Sequence, residues 1–131
     1  MNILDNLLYT KEHEWILIEG NKGKIGITYY AQSHLGDITY IELPQVGKEI
    51  KQFEVLASVE SVKAASDVYA PMSGKVVQVN DNLESSPESI NKSPYGDGWI
   101  TVIEIEDESE KTKLMDSKAY KEYLKTLESR E

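Results

Sequence analysis

Apolar residues along this chain recur mainly at every second position, the period of a strand that buries one face. Trp15–Glu19 alternates into the turn formers Gly20-Asn21-Lys22-Gly23, and Lys24–Thr28 follows, which predicts a β-hairpin. Tyr29–Leu35 breaks that rhythm and predicts a short helix near 29–34, stopped by Gly36 because glycine accepts the left-handed conformation at a helix end. Asp37–Leu43 then sets Ile38, Tyr40 and Glu42 against Thr39, Ile41 and Leu43, and ends at Pro44, which has no N–H to give to a ladder. Further short strands are expected at Lys48–Ile50, Val55–Val59, Ala65–Tyr69, Lys75–Val79 and Trp99–Ile105. Many short strands divided by turn signals imply a barrel or sandwich.

Two stretches look like copies of one unit. Leu35-Gly36-Asp37-Ile38-Thr39-Tyr40-Ile41 precedes Val46-Gly47, and Ser73-Gly74-Lys75-Val76-Val77-Gln78-Val79 precedes Asp81-Asn82-Leu83. Such a repeat implies two halves that bury their apolar faces against each other, with Glu60–Ala64 at a tight turn between them. Ser85–Gly98, rich in Ser, Pro, Asn and Gly, reads as a long loop with at most a turn of helix after Pro87, and Tyr95–Trp99 reads as structural. Asp116 caps a C-terminal helix over about 116–127, with Ala119, Tyr120, Tyr123, Leu124 and Leu127 on one apolar face. The chain is expected to be a single domain over 1–131 with its core at about 15–106.

Charge and composition narrow the functional classes. With 131 residues, 40% hydrophobic and 28% charged, the chain can build an ordinary globular core. Its formal net charge of −9 opposes nucleic-acid binding, which depends on Lys and Arg at phosphates, and opposes anionic membrane surfaces as well. The surplus either keeps the protein in solution or steers it toward basic faces of partner proteins. The absence of cysteine removes disulfides, thiolate nucleophiles and Cys-based zinc sites, so any redox chemistry must be borrowed. His13 and His34 have no recognisable zinc spacing, and no metal is expected. There is no secretory or Arg-rich presequence pattern and no run of eighteen apolar residues; a cytoplasmic location is expected, a mature organellar form being the alternative.

Thirteen of the fourteen basic residues are lysines, so composition singles out none. Position singles out Lys63, which lies between two strands and beside small side chains in Val59-Glu60-Ser61-Val62-Lys63-Ala64-Ala65-Ser66-Asp67. A lysine at a hairpin tip extends its flexible stem into water, either as an ordinary solvated turn residue or as a group another enzyme can reach. That run, followed by Tyr69-Ala70-Pro71 and Ser73-Gly74, closely resembles the lipoylation segment of the glycine cleavage system H-protein family. The same resemblance extends through Tyr9-Thr10-Lys11-Glu12-His13-Glu14-Trp15, Leu35-Gly36-Asp37 with Glu42-Leu43-Pro44, and Asn80 through Pro94-Tyr95-Gly96-Asp97-Gly98-Trp99, about residues 9–125 in all. Two departures stand out. Gln52-Phe53 occupies a turn that often contains glycine in the family, and Thr39-Tyr40 is more polar than usual.

The resemblance implies a mainly β barrel-sandwich hybrid of the lipoyl-domain kind, with the short helix near 29–34 and the C-terminal helix packed on it. It implies a lipoyl group in amide linkage on Lys63, which supplies a dithiolane/dithiol couple to a chain without cysteine. The carrier then accepts the aminomethyl unit from the P-protein (glycine decarboxylase), passes it to the T-protein (aminomethyltransferase), and is reoxidised by the L-protein (dihydrolipoamide dehydrogenase). A lipoate-attaching enzyme is the remaining partner. Tethering makes each transfer effectively intramolecular once a partner docks. Acidic groups that pair with the ammonium of the loaded arm would shield it from water, and Glu12, Glu14 and Asp67 are the candidates. Ordinary solvation of Glu12 and Glu14, and an Asx turn at Asp67, are the competing explanations. By the same resemblance His34 lies near the arm's cleft, though packing explains it as well, and Glu60 is expected to orient the modifying enzyme. Gly36, Gly74 and Pro71 serve backbone geometry. The chain is expected to be a carrier and not an enzyme, since it offers no Ser/His/Asp constellation and no nucleotide loop. The rivals are an H-like relay of lipoyl groups to other dehydrogenase complexes, a lipoyl or biotinyl domain of a larger enzyme, which the missing Met-Lys-Met segment opposes, and an unmodified acidic interaction module.

Overall fold

The structure, a computed structural model, describes residues 3–128. Its strands form two antiparallel sheets. The larger has six strands in the order β1 (Leu8–Tyr9), β2 (Glu14–Glu19), β3 (Lys22–Ile27), β9 (Thr101–Ile105), β8 (Gly74–Val79), β5 (Glu49–Ile50). The smaller has three, β4 (Ile38–Glu42), β6 (Val55–Ser61) and β7 (Ala65–Tyr69). This is the expected mainly β barrel-sandwich hybrid, with sheets that face each other and do not close.

The first hairpin turns more tightly than its four turn formers suggested. Glu19 pairs with Lys22, so the loop is Gly20-Asn21 alone, with Gly20 at a φ of 63°. Glycine at the first central position supplies the positive φ that matches the twist of a two-residue hairpin. Opposite Trp15, glycine is required for a different reason: a β-carbon on Gly26 would come within 2.6–2.7 Å of the indole. That indole donates to the carbonyls of Ile27 (3.0 Å) and Pro94 (3.1 Å), which ties the long segment before β9 to the sheet.

Strand β2 has both faces covered, so Trp15 and Ile16 are both buried and alternation is lost at its start. Ile16 joins the interior between the sheets with Ile25, Met72, Val76 and Ile103, whereas Trp15 joins Leu7, Tyr9, Tyr120 and Leu124 under the C-terminal helix α4 (Ser117–Glu128). Asp116 caps α4 as expected, its Oδ1 accepting from the Ala119 N–H at 2.8 Å. Tyr120 and Leu124 are buried, Tyr123 and Leu127 half-buried, and Ala119 is exposed, so the apolar face is narrower than the expected one.

Helix α1 spans Tyr29–Leu35, capped by the Thr28 hydroxyl, and ends at Gly36 with φ 81°. The alternation read through Asp37–Leu43 fails in β4. A register shift between Ile38 and Tyr40 turns Ile38 and Ile41 inward and leaves Tyr40 exposed. A bulge of this kind inserts one unpaired residue and inverts the facing of those beyond it.

The Ser/Pro-rich stretch is more ordered than a loop. A short helix, α2 (Asn82–Ser85), leads into it, and its expected turn of helix after Pro87 is α3 (Ser89–Lys92); the two bury Leu83 and Ile90 in a core shared with Ile27, Ile41, Val59 and Ile100. Asn80 holds its far end, donating through Nδ2 to the carbonyls of Asp97 (2.8 Å) and Trp99 (2.7 Å). A 3-10 segment, Glu108–Lys113, leads to α4 and is fastened by Glu110, whose carboxylate accepts from the Ser73 N–H and hydroxyl, each at 2.7 Å. No described helix is long and apolar enough to cross a membrane.

Candidate functional site

The turn that joins β6 to β7 is built by Ser61. Its N–H donates to the Ala64 carbonyl (2.8 Å), and its hydroxyl oxygen accepts from the N–H groups of Lys63 (3.3 Å) and Ala64 (3.1 Å). Such a turn, closed by a short polar side chain, projects the residues at its centre into solvent. Val62, 70% exposed, and Lys63 occupy that centre. A second tie, from the Val62 N–H to the Asp37 carbonyl (3.1 Å), fixes the tip against the start of β4. The expected tight turn at Glu60–Ala64 therefore exists, and the two copies of the repeat fall in different sheets, as β4 and β8.

The stem of Lys63 runs over Gly36. A β-carbon at Gly36 would lie 3.4 Å from Lys63 Cε, so the bare glycine at the end of α1 leaves the lysine its path. Asn91 holds this platform in place. Its Nδ2 donates to the Gly36 carbonyl (2.8 Å) and to Gln32 Oε1 (3.0 Å), while its Oδ1 accepts from the Ile38 N–H (2.8 Å). Nothing in the sequence separated Asn91 from its polar neighbours, because its partners lie 53 to 59 residues away.

The acidic candidates differ sharply in setting. Glu14 is 1% exposed and is no solvated surface acid. Its Oε2 accepts from the Tyr69 N–H at 3.0 Å, its other oxygen accepts from the Thr10 hydroxyl, and its own N–H donates to that hydroxyl at 3.0 Å. Burial pushes its carboxyl up to about 7; the bonds from Thr10 and Tyr69 pull the other way and do not cancel the loss of water. Thr10 and Tyr69 also line a cavity of about 460 Å³, together with Glu12, Lys11, Phe53, Lys113 and Met115. Glu12 and Glu14 are thus brought to one site, Glu12 on its exposed wall and Glu14 directly behind two of its lining residues.

Asp67 sits elsewhere, opposite Ser58 in the middle of β7, and lines a groove of about 390 Å³ with Glu42, Leu43 and Pro44. It forms no Asx turn. Glu60 is exposed near the tip, between Tyr40 of β4 and Ala65 of β7.

His34 is exposed at the end of α1, stacked on Tyr30 with ring centroids 4.0 Å apart and Nδ1 3.0 Å from the Tyr30 carbonyl oxygen. Tyr30 in turn meets His13 at 4.4 Å. His13 is packed and hydrogen-bonded, its Nδ1 2.9 Å from the Tyr120 hydroxyl, and burial lowers its imidazole to about 4. Among the described residues no three His, Asp or Glu side chains are grouped to hold a metal.

A family model described as Glycine cleavage H-protein matches residues 7–127. A relative named Glycine cleavage system H protein, from Coprothermobacter proteolyticus, is 56% identical over 125 residues, 95% of this chain and 98% of its own length. Another of that name, from Bacillus subtilis, is 53% identical over 122 residues, 93% and 96% of the two chains. A crystal structure of a glycine cleavage system H protein from Mycobacterium marinum superposes with a TM-score of 0.80 at 33% identity, covering 95% of this chain and 98% of the other. Matches of this extent embrace both sheets, the β6–β7 turn and α4, and with them the chain belongs to the glycine cleavage H-protein family, whose members are lipoate-bearing carriers of the glycine cleavage system and not its enzymes.

Proposed function

We propose that Lys63 is the lipoyl attachment point, and that this chain shuttles between the P-protein, which loads the aminomethyl unit from glycine, the T-protein, which removes it, and the L-protein, which reoxidises the arm. The observation that carries this reading is the β6–β7 turn: Ser61 and backbone groups build it, leaving the Lys63 side chain out of its scaffold. The lysine suits acylation. It is exposed and forms no ion pair among the described residues, and its stem passes the bare face of Gly36. When bound, the lipoyl group would supply a dithiolane that is reduced as it takes up the aminomethyl unit and gives up two electrons when the arm is reoxidised.

The chain's own residues tether, orient and shield. Glu12 and Glu14 offer negative charge at the 460 Å³ cavity to an ammonium brought there. Glu14, with its carboxyl near 7, ionises more readily once that cation arrives. Exposed Glu60 and Val62 beside the tip give a lipoate-attaching enzyme side chains to read. A net charge of −9 favours fast encounters with basic faces on successive partners, and the bacterial relatives support work in the cytoplasm.

Intact mass of the protein made with lipoate available tests the attachment. One lipoyl addition on wild type and none on Lys63→Arg is expected; no addition to wild type, or the same addition to both, overturns the assignment. Glycine-dependent loading by the P-protein then tests the role. A lipoylated chain that is never loaded, yet passes lipoyl to other dehydrogenase complexes, would be the relay instead.

A further inference from the structure

Phe53 is the least expected residue of the 460 Å³ cavity. Its φ of 67° lies in the left-handed region, where a bulky side chain is a real outlier, and its ring is 46% exposed although it is large and apolar. Such a conformation persists only where its surroundings over-determine it. Here they do. The Phe53 N–H donates to the Ala70 carbonyl at 2.7 Å, the Ala70 N–H returns to the Glu54 carbonyl at 2.8 Å, and Glu54 closes the turn onto Lys51 through its backbone N–H and its carboxylate. Gln52 adds three more ties, its N–H to the Ser73 hydroxyl and its Nε2 to the carbonyls of Pro71 and Glu110. A glycine would fit that backbone without strain, so the ring is held at the cavity against the local preference.

The cavity joins two kinds of surface. Phe53, Tyr69 and Met115 form an apolar wall, and Thr10 and Glu12 a polar one backed by the buried Glu14 carboxyl, with the exposed stems of Lys11 and Lys113 also lining it. An arm that ends in an apolar dithiolane carrying a small cation matches both walls. Strand β7 leads from the lysine toward it: Tyr69, part of the wall, lies six residues along, at most roughly 20 Å at strand rise. We propose that Phe53 is a positioning residue of this carrier, its ring forming the apolar wall that holds the loaded arm in the cavity and keeps water from it. The proposal rests on lipoylation of Lys63.

Phe53→Gly and Phe53→Ala separate the ring from the backbone, since both remove the ring but only alanine keeps a β-carbon on the left-handed residue. Each protein is lipoylated, loaded from glycine by the P-protein and isolated, and spontaneous loss of the aminomethyl unit is timed. Loss is expected to quicken in both variants alike, roughly two- to tenfold for one aromatic contact, while Phe53→Ala alone unfolds at lower denaturant than Phe53→Gly. Amide resonances of Thr10 and Tyr69 are expected to shift on loading in wild type and to shift less in both variants. Loss that follows stability, fast in Phe53→Ala and as in wild type in Phe53→Gly, overturns the proposal; so does a wild type whose Thr10 and Tyr69 amides do not respond to loading. A wild type that gains no lipoyl mass sinks the Lys63 assignment, an outcome distinct from either of these.

Discussion

Glu14→Gln is the most informative single substitution, because it removes a buried charge and leaves the shape of the side chain. In the folded protein the Glu14 carboxyl is pushed by burial from an ordinary 4.5 up to about 7. A group raised in this way favours folding in its protonated form. Its contribution is complete below 4.5 and is lost as pH rises through about 7. Converting the difference at about 1.4 kcal/mol per pH unit gives a loss of about 3 kcal/mol between those limits. Glutamine stays neutral throughout and keeps an oxygen for the Tyr69 N–H, while its amide can donate to the Thr10 hydroxyl. Urea unfolding of the unmodified protein from pH 4.5 to 8 reads the effect directly. The stability of Glu14→Gln relative to wild type should rise by about 3 kcal/mol across that range. His13 titrates in the same window with the opposite sign, but it is present in both proteins and cancels in the difference. Two curves that stay parallel from pH 4.5 to 8 would refute the claim that Glu14 is buried against its charge.

Other consequences are open to simpler measurements. His13, held neutral by burial with its imidazole at about 4, makes wild type lose stability as pH falls from 6.5 through 4; His13→Asn, which tolerates the positive φ of 74°, should show a flatter acid limb in thermal melts. Gly98→Ala sets a β-carbon 2.7 Å from the carbonyl oxygens of Ser89 and Ser93, and an unfolding midpoint within error of wild type would contradict the tight packing of α3; a loss of at least about 2 kcal/mol is expected. For the proposed shuttle, loading by the P-protein should slow as ionic strength rises, since a chain of charge −9 relies on long-range attraction. Rates unchanged from low to high salt would leave the charge as a matter of solubility alone.

What the sequence revealed and what it hid follow from the range of the forces involved. The first hairpin, α1 with its glycine stop, and the β6–β7 pair were legible because turn chemistry and periodicity are local. Strand β4 was misread because a bulge at Thr39 depends on what lies across the ladder, and that partner is some twenty residues away. Helices α2 and α3, four residues each, are too short to show a period; the turn after Pro87 was legible from its turn formers, whereas α2 was not, Leu83 reading only as part of the turn after β8. At the site, Lys63 could be placed at a tip from its neighbours. The burial of Glu14 could not, since the Tyr69 N–H it accepts from lies 55 residues ahead. Gln52-Phe53 was visible as a departure from the family's turn, yet only the backbone angle and the cavity beside the ring give it meaning.

The turn that bears Lys63 has one more implication. Every bond that shapes it comes from Ser61 or from main chain, and the lysine gives only its N–H. In the proposed cycle acylation, loading, unloading and reoxidation all take place at or beyond Nζ, so none of them alters the hydrogen bonds that hold the tip. A carrier built this way is indifferent to its own cargo as far as its turn is concerned. On the proposed function, the turn then serves each partner as the same rigid handle, and what the arm carries is read away from the turn, at the cavity and by the enzymes.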